Sequence, residues 1–87
     1  MVLDELRIKI DEINEQIIQL LAERSEVSKQ IAEEKKSIGK EIYDPEREAQ
    51  LIIKIKTLAK EKGLDEDLIE NIFKQIMDNS KEIQETI

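Results

Sequence analysis

Aliphatic residues recur every three or four positions along the first third of the chain: Leu3, Leu6, Ile10, Ile13, Ile17, Leu20, Val27 and Ile31. That spacing is a helical stripe, and its seven-residue rhythm is the sequence's internal repeat. Gly39 directly follows Ile38 and predicts a helix stop, with the glycine just beyond the last turn. Asp44-Pro45 then reads as a capping residue followed by proline at the first helical position. A second helix carries Leu51, Ile52, Ile55 and Leu58 and stops at Gly63. Asp65 caps a third helix, with Glu66 and Asp67 placed at the positive end of its dipole. Leu68, Ile69, Ile72, Phe73, Ile76 and Ile83 share one face of that helix. The pattern predicts an all-α fold of three helices in a single domain spanning 1–87, with strands excluded.

The first helix, residues 3 to 38, predicts a rod roughly 50 Å long at about 1.5 Å per residue. A compact domain of this length has a radius of gyration near ~12 Å and therefore a diameter of roughly 30 Å. One chain of this mass does not cover such a rod. Because the apolar stripe runs nearly its full length, a dimer is expected, with the first helix paired against its own copy.

Composition narrows the chemistry. Hydrophobic residues are 39% of the chain but aromatics only 2%, so the core is built from Ile and Leu. One proline, two glycines and 40% charged residues agree with helix throughout. Cysteine and histidine are both absent, which excludes disulfides, zinc-thiolate sites, thiol nucleophiles, Ser-His pairs and imidazole bases. Carboxylates, Lys, Arg, amides, hydroxyls and the single Tyr43 remain. A net charge of −7 argues against nucleic acid as a partner. It leaves room for a small anionic ligand, since a few inward-pointing cations reverse the potential locally. No aliphatic run exceeds three residues, so no membrane span or secretory segment is expected and a cytoplasmic protein is the default.

The apolar patterns break at particular places. Continuing the rhythm of the first helix through 3, 6, 10, 13, 17 and 20 puts Arg24 where an aliphatic residue belongs. Alone, Arg24 reads as a snorkelling side chain or an ion-pair partner. In the third helix the face of Ile69, Phe73 and Ile76 runs on into Ser80, with Gln84 beside Ile83. Taken singly, these are ordinary helix-end residues. Lys35 lies eleven residues after Arg24, about three turns, and returns to nearly the same face some ~16 Å away, with Ser28 between them. Lys35 also reads as one lysine of a solvated Glu33–Lys36 run, Arg47 and Glu48 as a surface pair at a helix start, and Arg7 as a flanking charge. Two helices turning polar on their inward faces at once is the informative feature.

Together these residues resemble the all-helical class of chorismate mutases. Leu6–Asn14, L-R-x-x-I-D-x-I-N, is similar to that family's opening, as is Leu20–Arg24, L-L-A-E-R. Lys35, then D-P-E-R-E at Asp44–Glu48, then I-F-x-x-I-M-x-x-S-x-x-x-Q at Ile72–Gln84 complete the resemblance over essentially the whole chain. It implies a three-helix protomer in an intertwined homodimer, and the rearrangement of chorismate to prephenate on the way to phenylalanine and tyrosine. The reaction is unimolecular and needs no metal, redox cofactor or nucleophile, so a chain without His or Cys is compatible with it. By resemblance, Lys35 and Gln84 serve the ether oxygen. Arg24 and Arg7 clamp substrate carboxylates, with Arg7 supplied by the other subunit. Ser80 resembles a hydroxyl contact to a carboxylate, and Glu48 with the backbone near Asp44 a contact to the ring hydroxyl. Arg47 matches an active-site arginine, either touching ligand or organising its neighbours. Ser28 is given no role.

The trans assignment of Arg7 also has a geometric basis. Seventeen residues separate Arg7 from Arg24, about 25 Å along one straight helix, so one copy does not bring both to one small molecule. An antiparallel copy does, if the two-fold axis passes near Ile17–Leu20. Two other readings stand beside the mutase. Isochorismate-pyruvate lyases resemble the same fold and keep similar cations, but lack acids at positions like Asp44 and Glu48. A non-catalytic helical dimerisation or regulatory module would make every inward polar residue incidental.

Overall fold

The computed structural model describes residues 1–86, arranged as three helices: α1 (Val2–Ile38), α2 (Pro45–Glu61) and α3 (Glu66–Glu85). No strand occurs among the described residues, and no helix is long and apolar enough to cross a membrane. The helix ends follow local chemistry. Gly39 adopts φ 71°, ψ 26°, the left-handed conformation that a side chain disfavours, and Lys40 N–H donates to the Lys35 carbonyl at 2.8 Å. Asp44 Oδ1 accepts from Arg47 N–H at 3.1 Å, with Pro45 in the first turn. Asp65 Oδ1 accepts from Leu68 N–H at 2.9 Å and starts α3. Gly63, at φ 71°, turns the chain between α2 and α3, where Leu64 N–H reaches the Ala59 carbonyl at 2.8 Å.

α3 packs against both α1 and α2, whereas α1 and α2 do not pack on each other. The protomer measures 57 × 24 × 15 Å with a radius of gyration of 16.1 Å, well above the ~12 Å of a compact chain of this length. Its long axis is α1. The protomer's own core is thin: Ala32, Ile55, Ala59 and Met77, with Ser28 and Ser80 buried beside them.

The aliphatic stripe of α1 is not part of that core. Leu3, Leu6, Ile10, Ile13, Ile17, Leu20, Val27 and Ile31 are all between 44% and 63% exposed. α3 instead meets α1 one step round the helix, at Ser28 and Ala32, where small side chains admit close approach. Half-exposure withholds roughly 1 kcal/mol of burial energy from each large aliphatic residue. Over the stripe this comes to about 8 kcal/mol, the size of a small domain's entire net stability.

An ion-pair bridge ties α2 to α3. Glu70 accepts from Lys56 of α2 at 3.1 Å and from Lys74 of its own helix at 2.8 Å. Lys74, then Lys56, hold the Glu70 carboxyl below its ordinary range, and Glu70 raises Lys56 above its own. A depressed carboxylate stabilises the fold above the unfolded-state value and loses that contribution as pH falls through the lower folded-state value. Thermal unfolding at a series of pH values tests this. Glu70→Gln should melt below the parent at about pH 6, and the two should converge as pH drops below the ordinary glutamate value of ~4.3. A gap that stays constant with pH would show that the bridge adds nothing through charge.

Candidate active site

Helical spacing puts Arg24, Ser28, Ile31 and Lys35 on the face of α1 that turns toward α3. On α3, Met77, Ser80, Lys81 and Gln84 meet them. The Asp44 cap starts α2 beneath this junction and brings in Asp44, Arg47, Glu48 and Leu51, with Ile42 from the α1–α2 connection. These groups enclose one cavity of about 400 Å³, within the range of small-molecule sites. Every site residue expected from the sequence lines it except Arg7. Arg7 lies about 25 Å up α1 and is exposed.

Each charged group on the α1 and α3 walls has a fixed partner. Arg24 Nη1 donates to Ser80 Oγ, and that hydroxyl donates in turn to the Ile76 carbonyl at 3.0 Å. Burial pushes the Arg24 guanidinium below its ordinary value, a direction that still leaves it a cation across the working range. Lys35 Nζ donates to the Ile42 carbonyl at 2.7 Å and so ties α1 to the connection that precedes α2. Lys81 Nζ sits 3.2 Å from Glu48 Oε1, which raises the lysine above its ordinary value. Gln84 differs, because its amide oxygen is buried without a hydrogen-bond partner. A terminal amide turns to present either its oxygen or its NH2, so this group is an unspent donor or acceptor.

The electrostatics oppose the chain as a whole. Four cations, Arg24, Lys35, Arg47 and Lys81, face two carboxylates, Asp44 and Glu48, in a protein of net charge −7. The cavity is therefore built for an anion. The Ser80 hydroxyl is committed to a backbone carbonyl and has no base beside it, so it is not an activated nucleophile. No cluster among the described residues is fit to hold a metal ion. A smaller hollow of about 250 Å³ adjoins the cavity across the Arg24–Ser80 pair, lined by Leu21 and Ser25 of α1 and by Gln75 and Asn79 of α3.

Two polar lining residues carry no expected role from the sequence. Ser28 is buried at one turn from Arg24 and two from Lys35, so its spacing contained the signal. Lys81 stands between Ser80 and Gln84, where a lysine on a charged helix is indistinguishable from a solvated one.

The family model for chorismate mutase type II matches residues 6–85. The chain belongs to that family. It is 42% identical to the chorismate mutase of Methanocaldococcus jannaschii over 94% of this chain and 83% of that protein. It is 36% identical to the T-protein of Haemophilus influenzae over 90% of this chain, and 32% identical to the bifunctional chorismate mutase/prephenate dehydratase of Escherichia coli over 94%. The matched region is 21% of each of those two longer proteins. The similarity to a chorismate mutase thus extends along a relative of nearly the same size, and the cavity lies wholly inside the matched segment.

Proposed function

We propose that this chain converts chorismate to prephenate in the cavity between α1, α3 and the start of α2, within a homodimer that supplies Arg7 from the partner subunit. The observation that carries the reading is that Arg24, Lys35 and the unpartnered Gln84 amide share one cationic cavity.

The reaction breaks the ether C–O bond as a C–C bond forms between the enolpyruvyl methylene and the ring. Electrons move round one closed cycle, and no proton or group leaves the molecule. The enzyme's task is to select the folded conformer and to meet the charge that grows on the ether oxygen. Guanidinium forks suit the two substrate carboxylates, which assigns Arg24 to one of them and Arg7 of the second copy to the other. On binding, the Ser80 O–H turns from the Ile76 carbonyl to the carboxylate that Arg24 holds. Lys35, a cation fixed by the Ile42 carbonyl, and Gln84, a neutral donor, serve the ether oxygen. Glu48, beside the Asp44 backbone, accepts from the ring hydroxyl. Arg47, exposed at the mouth, attracts the dianion and steadies the neighbouring carboxylates.

The exposed stripe of α1 supports the dimer, since a second copy of the same helix is the surface with a matching repeat. Arg7 lying outside its own chain's cavity supports the shared site.

Loss of chorismate absorbance on adding purified protein tests the reaction. Lys35→Ala should lower turnover by about 10² to 10³-fold while the helical signal stays unchanged. Weaker substrate affinity at unchanged turnover would make Lys35 a binding cation only. Gln84 is neutral at every working pH, whereas glutamate must be protonated to donate. Gln84→Glu should therefore gain activity as the medium is acidified, while the parent's rate stays flat in the same range. Parallel pH–rate profiles for the two proteins would remove Gln84 from the ether oxygen.

A further inference from the structure

Lys81 touches three segments of the chain at once. Its ammonium lies 3.2 Å from Glu48 Oε1 on α2 and 5.0 Å from the centre of the Tyr43 ring in the α1–α2 connection. The third contact, Asp78 Oδ1 at 3.7 Å one turn back on α3, is long and its carboxylate is 73% exposed, so it contributes little. The Lys81 and Glu48 side chains are only 31% and 27% exposed, so their attraction is less screened than that of a surface pair. Glu48 also poses an electrostatic problem. A carboxylate on the wall of a cavity meant for a dianion repels its ligand unless a cation lies against it. Lys81 takes Oε1, and among the described residues Oε2 has no hydrogen-bond partner.

Building on the mutase reading, we propose that Lys81 is a positioning residue. It fixes the Glu48 carboxylate through Oε1 and cancels its charge, so that Oε2 accepts a hydroxyl from a ligand that itself carries carboxylates. The Tyr43 ring also holds the ammonium, since a cation over an aromatic face is attracted to it without a hydrogen bond that competes for Glu48. Lys81 therefore acts on the substrate through Glu48 and not by its own contact.

Steady-state kinetics on chorismate for Lys81→Met and Lys81→Arg, each alone and combined with Glu48→Gln, separate these roles. Lys81→Met should raise KM about five- to tenfold with kcat within about twofold, and Lys81→Arg should recover most of that loss. In the Glu48→Gln background the Lys81→Met change should add less than about twofold, because the group it positions no longer carries a charge. An equal KM increase in both backgrounds would make Lys81 an independent ligand contact and overturn the proposal, as would a KM unchanged in Lys81→Met. A second measurement needs no turnover. Following the Lys81 ammonium by NMR through a pH titration, its midpoint should fall in Glu48→Gln relative to the parent. An unmoved midpoint would overturn the pairing whether or not the protein acts on chorismate, while an inactive parent with a shifted midpoint would count against the reaction alone.

Discussion

α1 is longer than anything the rest of the chain can lay along it. At about 1.5 Å per residue its 37 residues make a rod of roughly 55 Å, and the 20 residues of α3 make one of roughly 30 Å. α3 also crosses from α1 to α2, so only the C-terminal part of α1 gains a neighbour within the chain. The consequences divide along that helix. Beyond Leu21 polar residues join the face toward α3 and a cavity forms, with Val27 and Ile31 still half exposed; before it, no large aliphatic residue of α1 is buried. The packed end of α1 holds the cavity, and the unpacked end presents an apolar surface that nothing in the protomer covers.

Site formation and local stability draw on the same contacts. Arg24 rests on Ser80, Lys35 on the Ile42 carbonyl and Glu48 on Lys81. Each contact joins two different segments of the protomer, so the groups that would meet substrate also fasten α1, the connection, α2 and α3 together around the cavity. A site assembled this way is oriented before the ligand arrives, which is where electrostatic catalysis obtains its advantage over water. It also explains how a chain of net charge −7 presents a cationic hollow: the carboxylates lie mainly on the outer faces, while the cavity takes four cations and two acids.

The helices were legible because each boundary is set by local chemistry. Gly39, the Asp44-Pro45 pair, Gly63 and Asp65 act within a few residues of themselves, and the structure ends or starts its helices there. The composition of the cavity was legible for a similar reason, since Arg24, Lys35, Ser80 and Gln84 interrupt periodic apolar faces. The stripe of α1 was harder to place. Its rhythm identifies a buried seam but not which neighbour buries it, and within the protomer α3 meets Ser28 and Ala32 instead. Lys81 was invisible because its significance depends on Glu48 and Tyr43, more than thirty residues away in sequence and joined to it only by the fold.

A complete site drawn from two chains is tested by complementation between inactive variants. Arg7→Ala and Arg24→Ala homodimers should each be nearly inactive, because every site lacks one carboxylate clamp. Unfolded together and refolded as an equal mixture, about half of the dimers become mixed, and each mixed dimer has one doubly damaged site and one intact site. Activity should return to about a quarter of the parent value per chain, for random pairing and independent sites. With one variant isotopically labelled so that mixed dimers are identified by mass, mixed dimers that recover no activity would contradict the shared site, because Arg7 would then be serving its own subunit or none.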